Sequence, residues 1–364
     1  MRTEREPKLT QTLVDDLRRG DIRSSISRDF RELKDYMLNE ERKRQLQQMG
    51  RVKRAFYFSW WLLKSLLLKL TPARRLLLAI ALLLLVFQDS FRFESENVRM
   101  DLNFNLLSGA IILFILMLEL KDKLLAKEEL EAGRAVQNAL MPPRSPEVPG
   151  WRLWLYTRSA NEVGGDLVDF VRIHDRRYGV AVGDVAGKGL RAALMTAKLQ
   201  ATLNALVSES SSLRTFIAKL NRIFCRDCLP NLFASLLFVE FRADSGKVRL
   251  VNAGHLPPLL VRGSNVTPLQ KGGVALGLMP ATRFTEQSLN LRKNDLLFIY
   301  SDGLTDAQNE AGEFFGEQRL LGLLSALKDS SADQIGEALI THVNRFMGEA
   351  RAADDLSIAI LKRV

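Results

Sequence analysis

From Leu76 to Phe87 the chain is apolar without a break, and a second apolar run extends from Phe104 to Leu118 with only Asn105 and Ser108 as interruptions. Segments of this kind must be removed from water, either inside protein or inside lipid. Each is shorter than the roughly 20 residues that comfortably span a bilayer. Two readings therefore stand: a membrane hairpin of two transmembrane helices over 73–120, or a soluble helical pair buried against another surface. Flanking charge favours the hairpin. Lys64, Lys69, Arg74 and Arg75 precede the first run and Lys121, Lys123 and Lys127 follow the second, while the connector sets Asp89, Glu94, Glu96 and Asp101 against Arg92 and Arg99. Positive charge stays on the cytoplasmic side. The expectation is an inner (cytoplasmic) membrane protein with both ends of the hairpin, and all that follows it, in the cytoplasm.

Residues 1–72 form a basic, largely helical region, with Leu9 to Gln48 read as helix. Residues 1–75 hold 19 Lys and Arg against 10 Asp and Glu, so nearly all of the formal charge of +10 precedes the first apolar run. The high net charge is thus no argument for a basic surface on the rest of the chain. Beside a membrane it favours anionic headgroups, and Phe56 to Leu70, with Trp60 and Trp61, reads as an interfacial amphipathic helix, a third membrane helix or a packing face. No zinc-finger or helix-turn-helix pattern supports nucleic-acid binding. No cleavable signal sequence is visible in the charged first 50 residues.

The C-terminal part carries four short stretches in which aspartate sits where the chain turns: Val163-Gly164-Gly165-Asp166, Gly183-Asp184-Val185-Ala186-Gly187-Lys188-Gly189, Ser301-Asp302-Gly303 and Ala353-Asp354-Asp355-Leu356. Tyr178 to Val182 and Leu296 to Tyr300 read as buried strands feeding two of them, and strand ends can converge from distant parts of a chain. Asp-Gly and Gly-Asp are ordinary turn dipeptides taken singly. Four in one domain point instead to hard divalent cations, which take carboxylate, carbonyl and water oxygens.

With Ala139-Leu140-Met141-Pro142-Pro143, Ala192-Ala193-Leu194-Met195, Asn252-Ala253-Gly254-His255-Leu256-Pro257-Pro258, Leu276-Gly277, Tyr300 to Asp306 and Asp354 to Ser357, these blocks resemble the sporulation-protein-E and sigma-B-regulator branch of the metal-dependent protein phosphatases, relatives of protein phosphatase 2C. The resemblance covers roughly the last three fifths of the chain. It implies hydrolysis of phosphoserine or phosphothreonine on a partner protein, an anti-anti-sigma-like regulator in a partner-switching pathway. It also implies a site for two divalent cations, Mn²⁺ or Mg²⁺, with Asp184 and Asp302 central to catalysis. By position, Asp184 and the backbone carbonyl of Val185 bind metal, joined by Asp166, Asp302 and the Asp354-Asp355 pair. Within that pair the family pattern favours Asp354 as ligand and Asp355 as the residue that orients the turn. Many eukaryotic relatives carry a histidine just after the bridging aspartate; here Val185, Ala186, Gly187 and Lys188 follow, so the general acid is unassigned.

Other candidates read more plainly. His255 lies in a turn after a strand and is taken as structural. Lys188 is a phosphate contact or a helix-capping residue. Cys225 and Cys228 have Cys-x-x-Cys spacing without a second pair, and read as reduced structural thiols.

Strand patterns at Arg152 to Tyr156, Leu167 to Ile173, Ala234 to Phe241, Lys247 to Val251, Pro258 to Val261 and Leu356 to Leu361, and helical spacing over 190–207, 213–228, 317–327 and 332–347, give a mixed α/β (α+β) domain over 142–364. Two packed antiparallel sheets flanked by helices follow from this grouping, and the resemblance specifies a four-layer αββα sandwich. Between membrane and domain, residues 119–141 read as a linker helix ending before Pro142-Pro143. In resembling proteins such a linker pairs with a second copy, so a homodimer is expected through it, against a monomeric helix lying on the domain. A non-catalytic scaffold that binds a phosphoprotein through a phosphatase fold is the functional alternative.

Overall fold

A computed structural model describes residues 45–46, 49–86, 91–95, 98–102, 104–209, 212–243 and 245–364. The helix expected over 9–48 falls, apart from residues 45–46, outside the described residues. The chain divides into two compact units, Met1–Leu124 and Leu125–Val364.

In the first unit, helix α1 (Arg51–Lys69) is followed by α2 (Pro72–Val86), a hairpin of β1 (Phe91–Ser95) and β2 (Val98–Leu102), and the start of α3 (Phe104–Ala139). The carbonyls at the end of α1 would lack partners. The Arg75 guanidinium supplies them, donating to the carbonyls of Leu67, Leu68 and Leu70 at 2.9–3.1 Å. Helices α2 and α3 meet at small residues: the Ser108 hydroxyl donates to the Ala81 carbonyl at 2.8 Å, and both residues are fully buried. Small contact residues let helix backbones approach closely. Arg74 closes the pair with Glu119 (2.7 Å) and Asp122 (2.6 Å). Leu76, Leu83, Leu113, Phe114, Leu116 and Met117 remain exposed. Among the described residues α3 alone is long and apolar enough to cross a membrane. The 15 residues of α2 reach only about 22 Å at 1.5 Å per residue. The second apolar run and the expected linker are one helix of 36 residues, with no break between them.

The second unit is two antiparallel sheets face to face. One has six strands in the order β10 (Asn265–Pro268), β9 (Leu259–Arg262), β12 (Leu296–Tyr300), β13 (Leu356–Arg363), β4 (Trp151–Arg158) and β3 (Glu147–Val148). The other has five, in the order β11 (Glu286–Asn290), β8 (Lys247–Ala253), β7 (Ala234–Arg242), β6 (Arg177–Val185) and β5 (Asp166–His174). Successive side chains of a strand point to opposite faces, and β12 shows why its sequence is apolar throughout. Leu297 and Ile299 join Leu155, Val180, Val182 and Val239 between the sheets, whereas Leu296, Phe298 and Tyr300 face a helical layer. That layer is α7 (Gly316–Ala326) and α8 (Ala332–Met347), the latter opened by a capping box of Ser331 and Gln334. Helices α4 (Leu190–Leu206) and α5 (Leu213–Asp227) cover the five-stranded sheet through Leu199, Leu203, Phe216 and Leu220. The result is the expected αββα layering. A one-turn helix, α6 (Asp302–Thr305), follows β12.

The strand and helix expectations of this unit match observed elements within a few residues at each end. Sequence reading did not find β3, β10 and β11, nor the β1–β2 hairpin. β10 and β11 are edge strands with mostly exposed or half-exposed side chains, so they lack an apolar face to betray them.

Candidate active site

Strand pairing brings the first two motifs together. Asp166, the first residue of β5, stands directly opposite Asp184 near the end of β6. The chain reaches Asp166 through a loop pinned from two sides. Asp355 is buried, and its carboxylate accepts from the backbone N–H of Ala160 (2.7 Å), Gly165 (2.6 Å) and Asp166 (3.4 Å). Gln137, near the end of α3, donates to the Gly164 carbonyl at 2.9 Å and accepts from the Gly164 N–H at 3.1 Å.

Gly165 is required where it stands. A β-carbon there would lie 2.9 Å from the Val185 carbonyl oxygen and 3.4 Å from Asp184 Oδ1. The glycine therefore leaves open the space beside two of the expected ligand oxygens.

The other two motifs join through hydrogen bonds between β12 and the turn before β13. Ser301 N–H donates to the Ser357 carbonyl at 2.9 Å, Ser357 N–H donates to Ser301 Oγ at 2.9 Å, and the Ser301 hydroxyl donates to the Asp355 carbonyl at 3.2 Å. A methyl group on Gly303 would run into the Asp355 carbonyl, so only glycine lets α6 start here. Lys188, after β6, donates to the Ala353 carbonyl at 2.7 Å and lies 3.4 Å from Asp354 Oδ2. It acts here as a tie between two site loops.

The electrostatics follow from crowding acids at buried strand ends. Burial, then the charges of Asp184 and Asp355, push the Asp166 carboxyl well above the usual carboxylate range, against the Ser357 and Ser301 hydroxyls. Asp166 Oδ2 is buried and has no hydrogen-bond partner. Burial and the neighbouring Asp302, Asp354 and Asp355 raise Asp184 to about 6, and burial with Asp354 and Asp306 raises Asp302. Carboxylates held this way gain from any cation that arrives.

Asp184 and Asp302 line a cleft of about 450 Å³ together with Ser235, His255, Ser301 and Lys271. Ser235 and Lys271 were not found from sequence. Each is a common residue type in a segment whose place beside the aspartates depends on the fold.

His255 is the wall behind Asp184. Asp184 N–H donates to Ser235 Oγ at 3.2 Å, and Ser235 Oγ lies 2.9 Å from His255 Nδ1. Burial lowers the His255 pKa to about 4, so the ring is neutral. Asn252 holds the turn by accepting from His255 N–H at 2.8 Å. These contacts agree with a structural histidine. Cys225 and Cys228 are free thiols, Cys225 donating to Asn221 at 3.5 Å.

With four aspartate motifs meeting at the edge of a two-sheet sandwich, the comparison with known families is decisive. The model of "Stage II sporulation protein E (SpoIIE)" matches residues 174–364, just over half of the chain. The chain belongs to the SpoIIE family. The match contains Asp184, Asp302, Asp354 and Asp355; Asp166 lies ahead of it and is brought to the site by strand pairing. Among curated relatives, "Protein IcfG" of Synechocystis is 28% identical over 64% of this chain and 41% of its own length. "Phosphoserine phosphatase RsbU" of Bacillus subtilis is 23% identical over 65% of this chain and 70% of its own. This chain thus spans less than half the length of the first relative. The SiaA-PP2C domain of Pseudomonas aeruginosa has the same fold, with a TM-score of 0.58 at 20% identity, over 67% of this chain and 98% of that domain.

Proposed function

We propose that this SpoIIE-family chain is a metal-dependent phosphoserine/phosphothreonine protein phosphatase. The observation that carries the reading is the pairing of Asp166 against Asp184, with a buried carboxylate oxygen lacking any partner beside a cleft that Asp302 also lines.

The residues present fit a pair of divalent cations. The orphaned Asp166 Oδ2 and the space that Gly165 leaves beside the Val185 carbonyl and Asp184 are what bound cations would complete. Among the described residues no three His, Cys, Asp or Glu side chains are grouped to hold one ion. Mg²⁺ usually keeps several waters and takes one or two carboxylates, so a sparse set suits it. Asp166, Asp184, the Val185 carbonyl, Asp302 and Asp354 would hold the ions, and Asp355 would position the loop rather than bind. When bound, two such ions neutralise charge on a phosphoryl group and lower the pKa of water.

The chain's own residues do the rest. Asp355 and Gln137 fix the loop that carries Asp166; Ser235 and His255 fix the strand end that carries Asp184. Lys271 supplies the cleft with a cation for the phosphoryl oxygens. Ser235 and His255 form a hydroxyl–imidazole pair in the cleft, but His255 Nε2 has no hydrogen-bond partner, so the pair lacks the third, orienting group of an activated nucleophile.

The substrate class we infer is a phosphorylated regulatory protein of the anti-anti-sigma type, from the motif resemblance. The α2–α3 pair, with exposed apolar sides and Lys and Arg at both cytoplasmic ends, supports anchoring in the inner membrane as a hairpin. Pairing of α3 with a second copy is the accompanying proposal for a homodimer. The test is phosphate release from a phosphoserine protein by the full chain in detergent with Mn²⁺, where no release above a metal-free control refutes the reading.

A further inference from the structure

At the ends of the five-stranded sheet remote from Asp184 lies a second concavity, of about 640 Å³, lined by Arg177, Glu240, Arg242, Lys247, Arg249 and Leu289 among others. It shares no lining residue with the aspartate cleft. Arg177 begins β6 and Asp184 sits near its end, so the two lie about 23 Å apart along the strand at roughly 3.3 Å per residue.

Its lining holds four cationic side chains and one carboxylate. Glu240 is only 5% exposed, and its two oxygens accept from Arg177 Nη2 and Arg249 Nη2, each at 2.7 Å. Arg249 also reaches Glu286 at 3.4 Å. A guanidinium has five N–H donors, so both forks keep donors to spare. Among the described residues, no carboxylate lies within ion-pair distance of the exposed Arg242 and Lys247.

Folding alone does not call for this arrangement. Arg177 and Arg242 are direct partners in the β6–β7 ladder, and like charges placed opposite each other cost a sheet stability. A buried carboxylate between two arginines adds little over an apolar replacement. What the cluster achieves is to fix two guanidinium forks beside two cations that have no carboxylate partner among the described residues.

We propose that this concavity binds a polyanionic small molecule of nucleotide size, whose phosphate groups are taken by Arg177, Arg242, Lys247 and Arg249. Guanidinium forks match phosphate oxygens in pairs. The volume falls within the usual range for small-molecule sites of about 300–1,000 Å³. Leu289 and the aliphatic stems of the cations give the body of the ligand an apolar wall.

The experiment is calorimetric titration of the purified full chain in detergent and EDTA with ATP, AMP and inorganic phosphate. EDTA removes any cation bridge at the aspartates. Binding of one ATP per chain, tighter than AMP and far tighter than phosphate, is expected. The Arg242→Ala/Lys247→Ala double variant, altered only at exposed positions, should raise the ATP dissociation constant at least tenfold, while Asp302→Asn should change it less than twofold. Absence of ATP binding, equal binding in the double variant, loss of binding in Asp302→Asn, or phosphate binding as tightly as ATP would each overturn the proposal.

Discussion

Asp166 and Asp184 are direct register partners on neighbouring antiparallel strands, and the buried Oδ2 of Asp166 has no hydrogen-bond donor. A sheet that places two carboxylates in this relationship is less stable for it when empty. Asp166→Asn should therefore stabilise the metal-free protein at pH 7.5 by about 1 kcal/mol, because the neutral amide escapes both desolvation of charge and repulsion. The same variant should lose the rise in melting temperature that Mn²⁺ gives the wild type. Thermal unfolding with EDTA and with Mn²⁺ checks both halves.

Asp355 has a different part from its neighbour Asp354. Its carboxylate is the acceptor for three backbone N–H groups, those of Gly165 and Asp166 buried and that of Ala160 half-buried. Asp355→Ala should cost about 2–4 kcal/mol of stability, since each unsatisfied buried donor costs roughly 1–3 kcal/mol and water would reach some of them. Asp354→Ala should leave stability within about 0.5 kcal/mol while weakening metal binding. Urea unfolding of the two variants separates loop clamp from ligand.

Lys271 lies on the cleft with Asp184 and Asp302. If it meets the phosphoryl group as the substrate binds, Lys271→Ala should raise KM for a phosphoserine protein about tenfold with kcat within about threefold, since uniform binding is what is lost. Lys271→Arg should restore most of KM. Steady-state kinetics with the three forms read this directly.

His255 makes stability depend on pH. Its folded pKa of about 4 lies below the unfolded value of about 6.5. Between those values the unfolded chain binds the extra proton, so the contribution is complete above pH 6.5 and is lost as pH falls towards 4, by about 3 kcal/mol in all. Asp166 and Asp184, with raised pKa values, contribute the opposite slope. The difference between wild type and His255→Gln isolates the histidine: measured in EDTA by urea unfolding, it should shrink by about 3 kcal/mol from pH 7 to 4.

How much of this was legible in the chain depends on where each signal resides. The runs Leu296 to Tyr300 and Leu356 to Leu361 are apolar because both faces are buried, and such strands announce themselves. The aspartates were legible through the turns that carry them. Glu286–Asn290 was not, because an edge strand has no apolar face to repeat. Gln137, Ser235 and Lys271 escaped for another reason. Their roles come from what the fold sets beside them: Gln137 is 27 residues from the Gly164 it holds, and Ser235 is 51 residues from Asp184. Likewise the two apolar runs were visible, whereas the continuity of the second with the linker rests on the absence of proline between Leu118 and Leu140, where the helix runs through Gly133, a residue that weakens a helix without breaking it.

The most direct test of the central claim is phosphate release from a phosphoserine protein by the full chain with Mn²⁺, set beside Asp184→Asn. The account expects release that EDTA abolishes, and a fall of at least about 10³-fold in kcat/KM for the variant with its melting temperature in EDTA unchanged or higher, a loss of about 4 kcal/mol in transition-state stabilisation. Metal-independent release, or a folded Asp184→Asn that turns over as fast as wild type, would contradict it.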